Sequence, residues 1–309
     1  MSGSTGQLAE RPMLGIGLRV LSGLLFAVMV VCVKAVSTEV PLGQIVFFRS
    51  AFALIPLIVF LAMRNEFPGG LRTRRPGGHL LRSGLGAIAM FTSFACVARL
   101  PMAEAALVGY LAPIFMATAG VLLLSERPTL WRIGGVVLGF CGVLALFAPE
   151  LGQAEMDERR LAGFALGIAT AVLTAFTLTL VRSLNRTESP GAIAFWFVIA
   201  CALCGLATMP WGWVKPDSAA LLLLVLSGLF GGAAHIAMTL GFRHAEVSRL
   251  APFEYVALIW PIIGDVLIFK LSISPGFVLA LPLVLAGAAF AVMEGSAKPK
   301  WKSPAAKDN

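Results

Sequence analysis

The sequence predicts an all-α integral membrane protein with ten transmembrane helices arranged as two inverted five-helix repeats. The 309 residues are 58% hydrophobic and only 13% charged, with a mean hydropathy of +0.89, whereas soluble domains are typically about 25% charged. Apolar runs recur along the chain at the length needed to cross a hydrocarbon core of about 30 Å. A polar loop divides these runs into two sets of five, and an odd number in each set requires the second set to lie upside down.

The ten runs follow one another with short polar connections. The predicted spans are 14–36, 43–63, 79–98, 102–124, 130–148, 161–181, 191–209, 219–241, 250–269 and 276–293. Lys and Arg concentrate in the connections on one side, which predicts that both termini are cytoplasmic by the positive-inside rule. The predicted organisation is a first repeat over 14–148, a periplasmic loop over 149–160, a second repeat over 161–293 and a basic cytoplasmic tail over 294–309.

Two pairs of segments carry the internal repeat. "RPMLGIGLRVLSGLLFAVMVVCVKAVSTEVP" and "RRLAGFALGIATAVLTAFTLTLVRSLNRTESP" share the order of basic residue, Gly-rich apolar run, lone cation, Thr-Glu and proline. "AEAALVGYLAPIF" resembles "AEVSRLAPFEYVALIWPII" in the same way. Inverted repeats are typical of secondary transporters, whose sites lie near the bilayer midplane.

Ionisable residues inside spans are the first candidates for a functional site, because a charge at the bilayer centre is costly unless it is paired or faces a cavity. Glu254 and Asp265 are eleven residues apart on the ninth span, which places them on one helix face about 16 Å apart. With Arg49 and His235 they are predicted to line the substrate pathway or to gate it. A buried pair with a purely structural role is the alternative for Arg49, Glu254 and Asp265.

The predicted depth of each residue suggests two charged layers that could act as alternating gates. The outer layer would contain Arg49, Asp265 and Glu104, and the inner layer Glu254, His235 and Arg19. Two alternatives stand beside this hypothesis. Arg19 and Glu104 lie near span ends and could extend to the interface, and His235 could simply bond a neighbouring helix.

Three aromatic residues are predicted to line a cavity. Tyr110, Tyr255 and Trp260 lie on the two spans that contain Pro113 and Pro261, where a proline frees a carbonyl and permits a bend. Flat apolar faces with a few polar groups suit an aromatic or heterocyclic solute. Most aromatics of a membrane protein face lipid or core instead, which is the alternative for these three.

Several classes of function are disfavoured. The five cysteines all fall within spans, so neither a disulfide framework nor a metal site is expected. The charge of +8 is explained by the membrane orientation rather than by nucleic acid. No cofactor motif, Walker sequence, HExxH or GxSxG is present, so an enzyme is disfavoured. A regulatory membrane protein would not require two similar halves.

The longest similar stretches point to a known family. "YLAPIFMATAGVLLLSERPTLWRIGGVVLGFCGVLAL" and "APFEYVALIWPIIGDVLIFKLSISPGFVLALPLVLAG" resemble the two EamA-type repeats of the drug/metabolite transporter superfamily. One position departs from the pattern, because Leu271 replaces the acid that Glu126 supplies in the first repeat; Glu126 is accordingly interpreted as a structural residue.

The resemblance implies a bacterial inner-membrane carrier that moves a small metabolite by alternating access. "GQIVFFRS" and "APFEYVALIW" look most like the branch of riboflavin and S-adenosylmethionine uptake carriers, so uptake of a flat heterocyclic solute such as riboflavin is the first expectation. Export of amino acids or amphiphilic metabolites is the alternative. Protons could be coupled through Glu254, Asp265 or His235, and a facilitator without a coupling ion is equally compatible.

Overall fold

The computed structural model describes residues 12–116, 130–147, 157–244, 250, 253 and 256–293. Within these ranges the chain forms ten apolar helices. They are α1 Pro12–Val36, α2 Leu42–Met63, α3 Pro76–Val97, α4 Met102–Gly109, α5 Leu130–Phe147, α6 Glu158–Leu184, α7 Pro190–Ala207, α8 Ser218–His244, α9 Ile259–Ile263 and α10 Pro275–Met293. Helix α4 continues beyond a turn at 110–111 to Met116, and α9 continues as one π-helical turn, Gly264–Ile268.

The predicted all-α membrane fold is confirmed. Six of the helices (α1, α2, α3, α6, α7 and α8) are individually long and apolar enough to cross a membrane, and α4, α5, α9 and α10 are shorter apolar helices. Each falls within or across the span predicted for it. Most of the predicted loop 149–160 and the whole tail 294–309 lie outside the described residues.

Side-chain caps begin four helices of the second half, namely α6, α7, α8 and α10. The Asp157 carboxylate accepts from the Arg159 backbone N–H at 2.9 Å, and the Ser189 hydroxyl accepts from the Ala192 N–H at 3.1 Å. Asp217 and Ser274 act in the same way at the starts of α8 and α10. These caps satisfy N–H groups that the first turn of a helix leaves without partners, which fixes where each helix begins.

Eight helices pack side by side into a closed ring. Following the packed neighbours around it gives the order α1, α8, α2, α7, α3, α6, α4, α9 and back to α1. Helices from the first half therefore alternate with helices from the second half throughout. The remaining two, α5 and α10, pack on each other outside the ring. A ring in which every neighbour comes from the other half places the boundary between the halves all around one central space.

The packing is symmetric between the halves. Exchanging each helix with the one five places later converts the α1–α8 pair into α6–α3 and leaves α2–α7, α4–α9 and α5–α10 unchanged. Helix α1 begins beside the end of α8, since Gly241 lies against the Gly15 carbonyl, whereas α6 begins at the opposite end, beside Glu104. The first helices of the two halves thus enter from opposite ends, as an inverted repeat requires.

We name the two ends of the bundle by a residue at each. The Asp265 end is where α2, α4, α6, α8 and α10 begin, and the Glu188 end is where α3 and α7 begin. At the Glu188 end the carboxylate of Glu188 accepts from the Arg74 N–H at 3.0 Å and lies 3.4 Å from His79 Nε2. These contacts fasten the α2–α3 connection to the α6–α7 connection.

Candidate translocation pathway and gate

A cavity of about 210 Å³ lies within the ring. Five ring helices contribute to its wall, including α3, α4 and α6, and small or apolar side chains predominate. The lining residues are Val30, Ser93, Cys96, Val97, Met102, Ala105, Ala106, Gly109, Gly167, Thr170 and Pro261. An apolar wall with isolated hydroxyls, here Ser93 and Thr170, is typical of small-molecule sites.

Asp265 joins the two halves directly beside this cavity. Its two carboxylate oxygens accept from the backbone N–H groups of Met102 at 2.9 Å and Ala103 at 2.7 Å. The carboxylate is 4% exposed and caps the start of α4, where N–H groups and the helix dipole favour a negative charge. The π-helical turn that carries Asp265 is the local irregularity that directs it towards α4. Because Met102 also lines the cavity, this contact bounds the cavity at the Asp265 end.

A second contact between the halves lies beside the first. Both oxygens of the Glu104 carboxylate are 2.9 Å from Arg160 Nη2, and the Ser274 hydroxyl donates to Oε1 at 2.9 Å. Glu104 is 2% exposed and the Arg160 side chain 21% exposed, so loss of Arg160 would leave a buried carboxylate without this partner. Glu104 on α4 is thereby held to the beginnings of α6 and α10.

Lys34 completes the closure at this end. Its ammonium group donates to the carbonyls of Val97, at 3.0 Å, and Leu100 where α3 ends, and it lies 5.6 Å from the centre of the Phe269 ring. We call Lys34, Glu104, Arg160, Asp265 and Ser274 the gate cluster. Its members come from both halves, and they tie α1, α4, α6, α9 and α10 together at the Asp265 end.

Arg49 lies elsewhere in the ring. Its Nη2 is 3.4 Å from His235 Nε2 on α8, and its guanidinium packs against Gly231, where a Cβ atom would come within 3.2 Å of Nε and Nη2. Arg49 is 2% exposed. Both neighbours lie on α8, so the guanidinium is packed between α2 and α8. The Phe26 ring of α1 stands edge-on to His235 at 4.9 Å.

The structure groups the predicted residues differently from the two-layer hypothesis. Asp265 and Glu104 share the gate cluster, but Arg49, expected with them, contacts His235 of the other predicted layer. The physical reason is that the long arginine side chain packs against Gly231 and reaches His235, one turn further along α8. Glu254 and Tyr255 lie outside the described residues.

The two described aromatic candidates are neighbours of the cavity rather than members of its wall. Trp260 precedes the lining residue Pro261 and packs near Gly23 of α1. Tyr110 follows the lining residue Gly109 and packs on the core formed by α4, α5 and α6. Their role in the pathway stays a prediction.

Sequence reasoning missed four residues of this interior. Lys34, Arg160 and Arg82 count as charges of the connections when spans are read by hydropathy, and Ser274 is one of many hydroxyls. For Arg82 a signal was present, because it lies six residues inside α3, about 9 Å from the helix start. A position that deep is not a loop position.

Comparisons with known proteins agree with this architecture. Residues 13–148 match the model of the EamA-like transporter family. Residues 13–148 are therefore similar to the EamA domain of the drug/metabolite transporter superfamily. A solved crystal structure of a protein 21% identical to this chain has the same fold, with a TM-score of 0.63 over 91% of this chain and 96% of that one.

Named relatives of this chain differ in solute and direction. The pseudopaline exporter of Pseudomonas aeruginosa is 27% identical over 80% of this chain and 84% of the relative. The riboflavin transporter of Rhizobium johnstonii is 24% identical over 91% of both chains. The S-adenosylmethionine uptake transporter of Rickettsia prowazekii is 25% identical over 82% of this chain and 84% of the relative. The shared property is transport of a small molecule across a membrane.

Proposed function

We propose that this protein is a bacterial inner-membrane secondary transporter that takes up a flat heterocyclic metabolite by alternating access, with both termini in the cytoplasm. The observation that carries the proposal is the eight-helix ring, in which helices of the two halves alternate and five of them line a cavity. Rocking of one half against the other would change every ring contact at once, which is how inverted-repeat carriers alternate access.

The gate cluster supplies the outer gate of this cycle. In the described conformation it joins the halves beside Met102, and Met102 lines the cavity. Opening requires the Glu104–Arg160 pair and the Asp265 cap of α4 to separate together, with water replacing the lost partners. A solute that arrives from the Asp265 end would therefore reach the cavity only after the two halves have moved apart at that end.

The names of the relatives guide the choice of solute and of transport direction. The riboflavin transporter and the S-adenosylmethionine uptake transporter support a heterocyclic solute, and the second of them supports uptake. The pseudopaline exporter supports export of a small metabolite as the second candidate. This proposal includes binding of the flat ring of the solute by Tyr110, Tyr255 and Trp260. It also includes proton coupling through Glu254, Asp265 or His235. The protein acts on its solute without chemical conversion.

Reconstitution tests the proposal. Purified protein in liposomes should take up radiolabelled riboflavin or S-adenosylmethionine in a saturable way, with counterflow when the vesicles are preloaded with the unlabelled solute. Counterflow separates a carrier from a passive pore, because only a carrier exchanges one solute for another. Loading the solute inside and measuring efflux tests the export alternative. Vesicles that give neither saturation nor counterflow in either direction with either solute would contradict this proposal.

A further inference from the structure

Two guanidinium groups inside the ring have no anionic partner among the described residues. Nε and Nη1 of Arg49 and the same two atoms of Arg82 are buried and make no hydrogen bond there. The described ion pairs involve other arginines, namely Arg64 and Arg160. The only described polar contact of the Arg49 guanidinium is the long one to His235, and Arg82 instead stacks over the Phe197 ring at 3.8 Å.

The two arginines enter the same interior from opposite ends. Arg49 lies seven residues after the start of α2, at the Asp265 end, and Arg82 lies six residues after the start of α3, at the Glu188 end. Arg49 lies beside Met29 of α1 at the Gly231 position, and Arg82 stacks over Phe197 of α7. Met29 and Phe197 pack in one apolar cluster that also contains Cys201 and Phe26, so both guanidinium groups border the same part of the interior.

In the part of the chain that the structure describes, the neighbours of the arginines add no negative charge. An arginine can only donate hydrogen bonds, so His235 Nε2 must be the acceptor in the contact with Arg49 and the imidazole is neutral. Phe26 and Phe197 provide aromatic surface beside His235 and Arg82. An uncompensated charge buried within a membrane is costly, and residues of this kind normally mark a ligand or ion pathway.

The arginine site and the cavity share two helices. On α1, Met29 lies beside the Gly231 position that Arg49 packs against, and the next residue, Val30, lines the cavity. On α3, the Met90 sulfur accepts from the Ser50 hydroxyl next to Arg49 in sequence, and Ser93, one turn further, lines the cavity. The cavity and the surroundings of Arg49 are therefore adjacent along α1 and α3.

We propose that Arg49 and Arg82 bind an anionic group, a carboxylate or a phosphate, on the transported solute. The planar guanidinium fork matches either group, and both lone donors of each arginine would gain a partner. This inference rests on the proposed transport function and narrows its solute class to metabolites with an anionic end. Riboflavin itself has no ionised group at neutral pH, so a carboxylated or phosphorylated heterocycle fits the site better.

Equilibrium binding of simple anions tests the site without transport. The full chain in detergent is unfolded thermally in low-salt Hepes buffer with increasing sodium phosphate, sodium acetate or, for ionic strength, sodium chloride. Phosphate or acetate should raise the unfolding midpoint of the wild type beyond the effect of chloride. Arg49→Gln and Arg82→Gln should each weaken this apparent affinity about tenfold or more, and Arg49→Lys less. Arg72→Gln, at an exposed position, is the matched control and should respond as the wild type does.

The outcomes separate the ligands and the two proposals. A larger response to phosphate than to acetate selects a phosphate group, and the reverse selects a carboxylate. Equal responses to all three salts, or wild-type responses in both Arg49→Gln and Arg82→Gln, would overturn the anion site. Should Arg49→Gln not fold, the Arg82→Gln series decides alone. Anion binding without counterflow in liposomes refutes the transport function and not the site, whereas counterflow that survives both substitutions refutes the site alone.

Discussion

Glu104 and Arg160 join the two halves of the protein through a buried ion pair in which Arg160 Nη2 is 2.9 Å from both carboxylate oxygens. The contact connects the beginning of α4 with the beginning of α6. Under the exchange that relates the halves, these helices correspond to α9 and α1. At the Asp265 end, therefore, this contact joins residues of different halves, and neither residue lines the cavity.

Glu104→Gln should favour opening at the Asp265 end. The amide carries no charge to attract Arg160, so the contact between α4 and α6 that belongs to the closed state would be weaker. The measurement uses a variant that retains Cys96 as its one cysteine, because Cys96 lines the cavity. A membrane-impermeant thiol reagent added from this side should label Cys96 several-fold faster after Glu104→Gln.

The matched control for this experiment is Glu66→Gln. Glu66 pairs with Arg64 at 2.6 Å in a partly exposed position near the Glu188 end, so its loss removes an ion pair of the same type away from the gate cluster. Labelling of Cys96 should stay at the starting rate. Equal acceleration by both variants would mean that the ion pairs act on general stability rather than on the gate.

Asp265→Ala should destabilise the closed state more than Asp265→Asn does. Alanine removes both acceptors of the Met102 and Ala103 N–H groups, whereas the asparagine carbonyl can still accept one of them. Loss of a helix cap typically costs about 0.5–2 kcal/mol. The thermal unfolding midpoints of the wild type, Asp265→Asn and Asp265→Ala in detergent should fall in that order. An unfolding midpoint of Asp265→Asn at or below that of Asp265→Ala would contradict the capping role.

The sequence was sufficient for the fold but only partly for the site. Hydropathy alone separates membrane helices from connections, and the loop after five spans implies the inverted arrangement, so all ten helices could be predicted. Asp265 and Arg49 were selected because charges inside apolar spans are rare. Which charge meets which could not be predicted, because partners such as Asp265 and Met102 are 163 residues apart and meet only through the order of helices around the ring.

Gly231→Ala should disturb Arg49 without changing any charge. The new Cβ would lie 3.2 Å from Arg49 Nε and Nη2 and 2.8 Å from the Met29 sulfur, so the guanidinium must move from its place beside His235. We expect a weaker response to phosphate or acetate in the salt titration, and a loss of stability of about 1–3 kcal/mol from overpacking.

Gly84→Ala on α3 provides the control for that substitution. A Cβ at Gly84 would meet nothing within 4 Å, and alanine in a helix interior is favoured over glycine by about 1 kcal/mol. This variant should be as stable as the wild type or more so, with an unchanged anion response. If Gly231→Ala kept the wild-type anion response as well, the position of Arg49 beside Gly231 would not matter for binding.

Acid should loosen the Glu188 end of the bundle at a lower pH than ordinary carboxyl groups would imply. Burial alone would raise the pKa of Glu188, but hydrogen bonds from the Arg74 N–H and from His79 outweigh it, and the pKa lies below its usual value. A carboxyl group with a lowered pKa in the folded protein stabilises it above the unfolded pKa of about 4.3, and the contribution disappears as the pH falls through the folded value. The unfolding midpoints of wild type and Glu188→Gln should therefore differ by a constant amount above about pH 5 and converge below about pH 4. Glu66→Gln serves again as the comparison, and a difference between wild type and Glu188→Gln that grows on acidification would show that the carboxylate does not stabilise this connection.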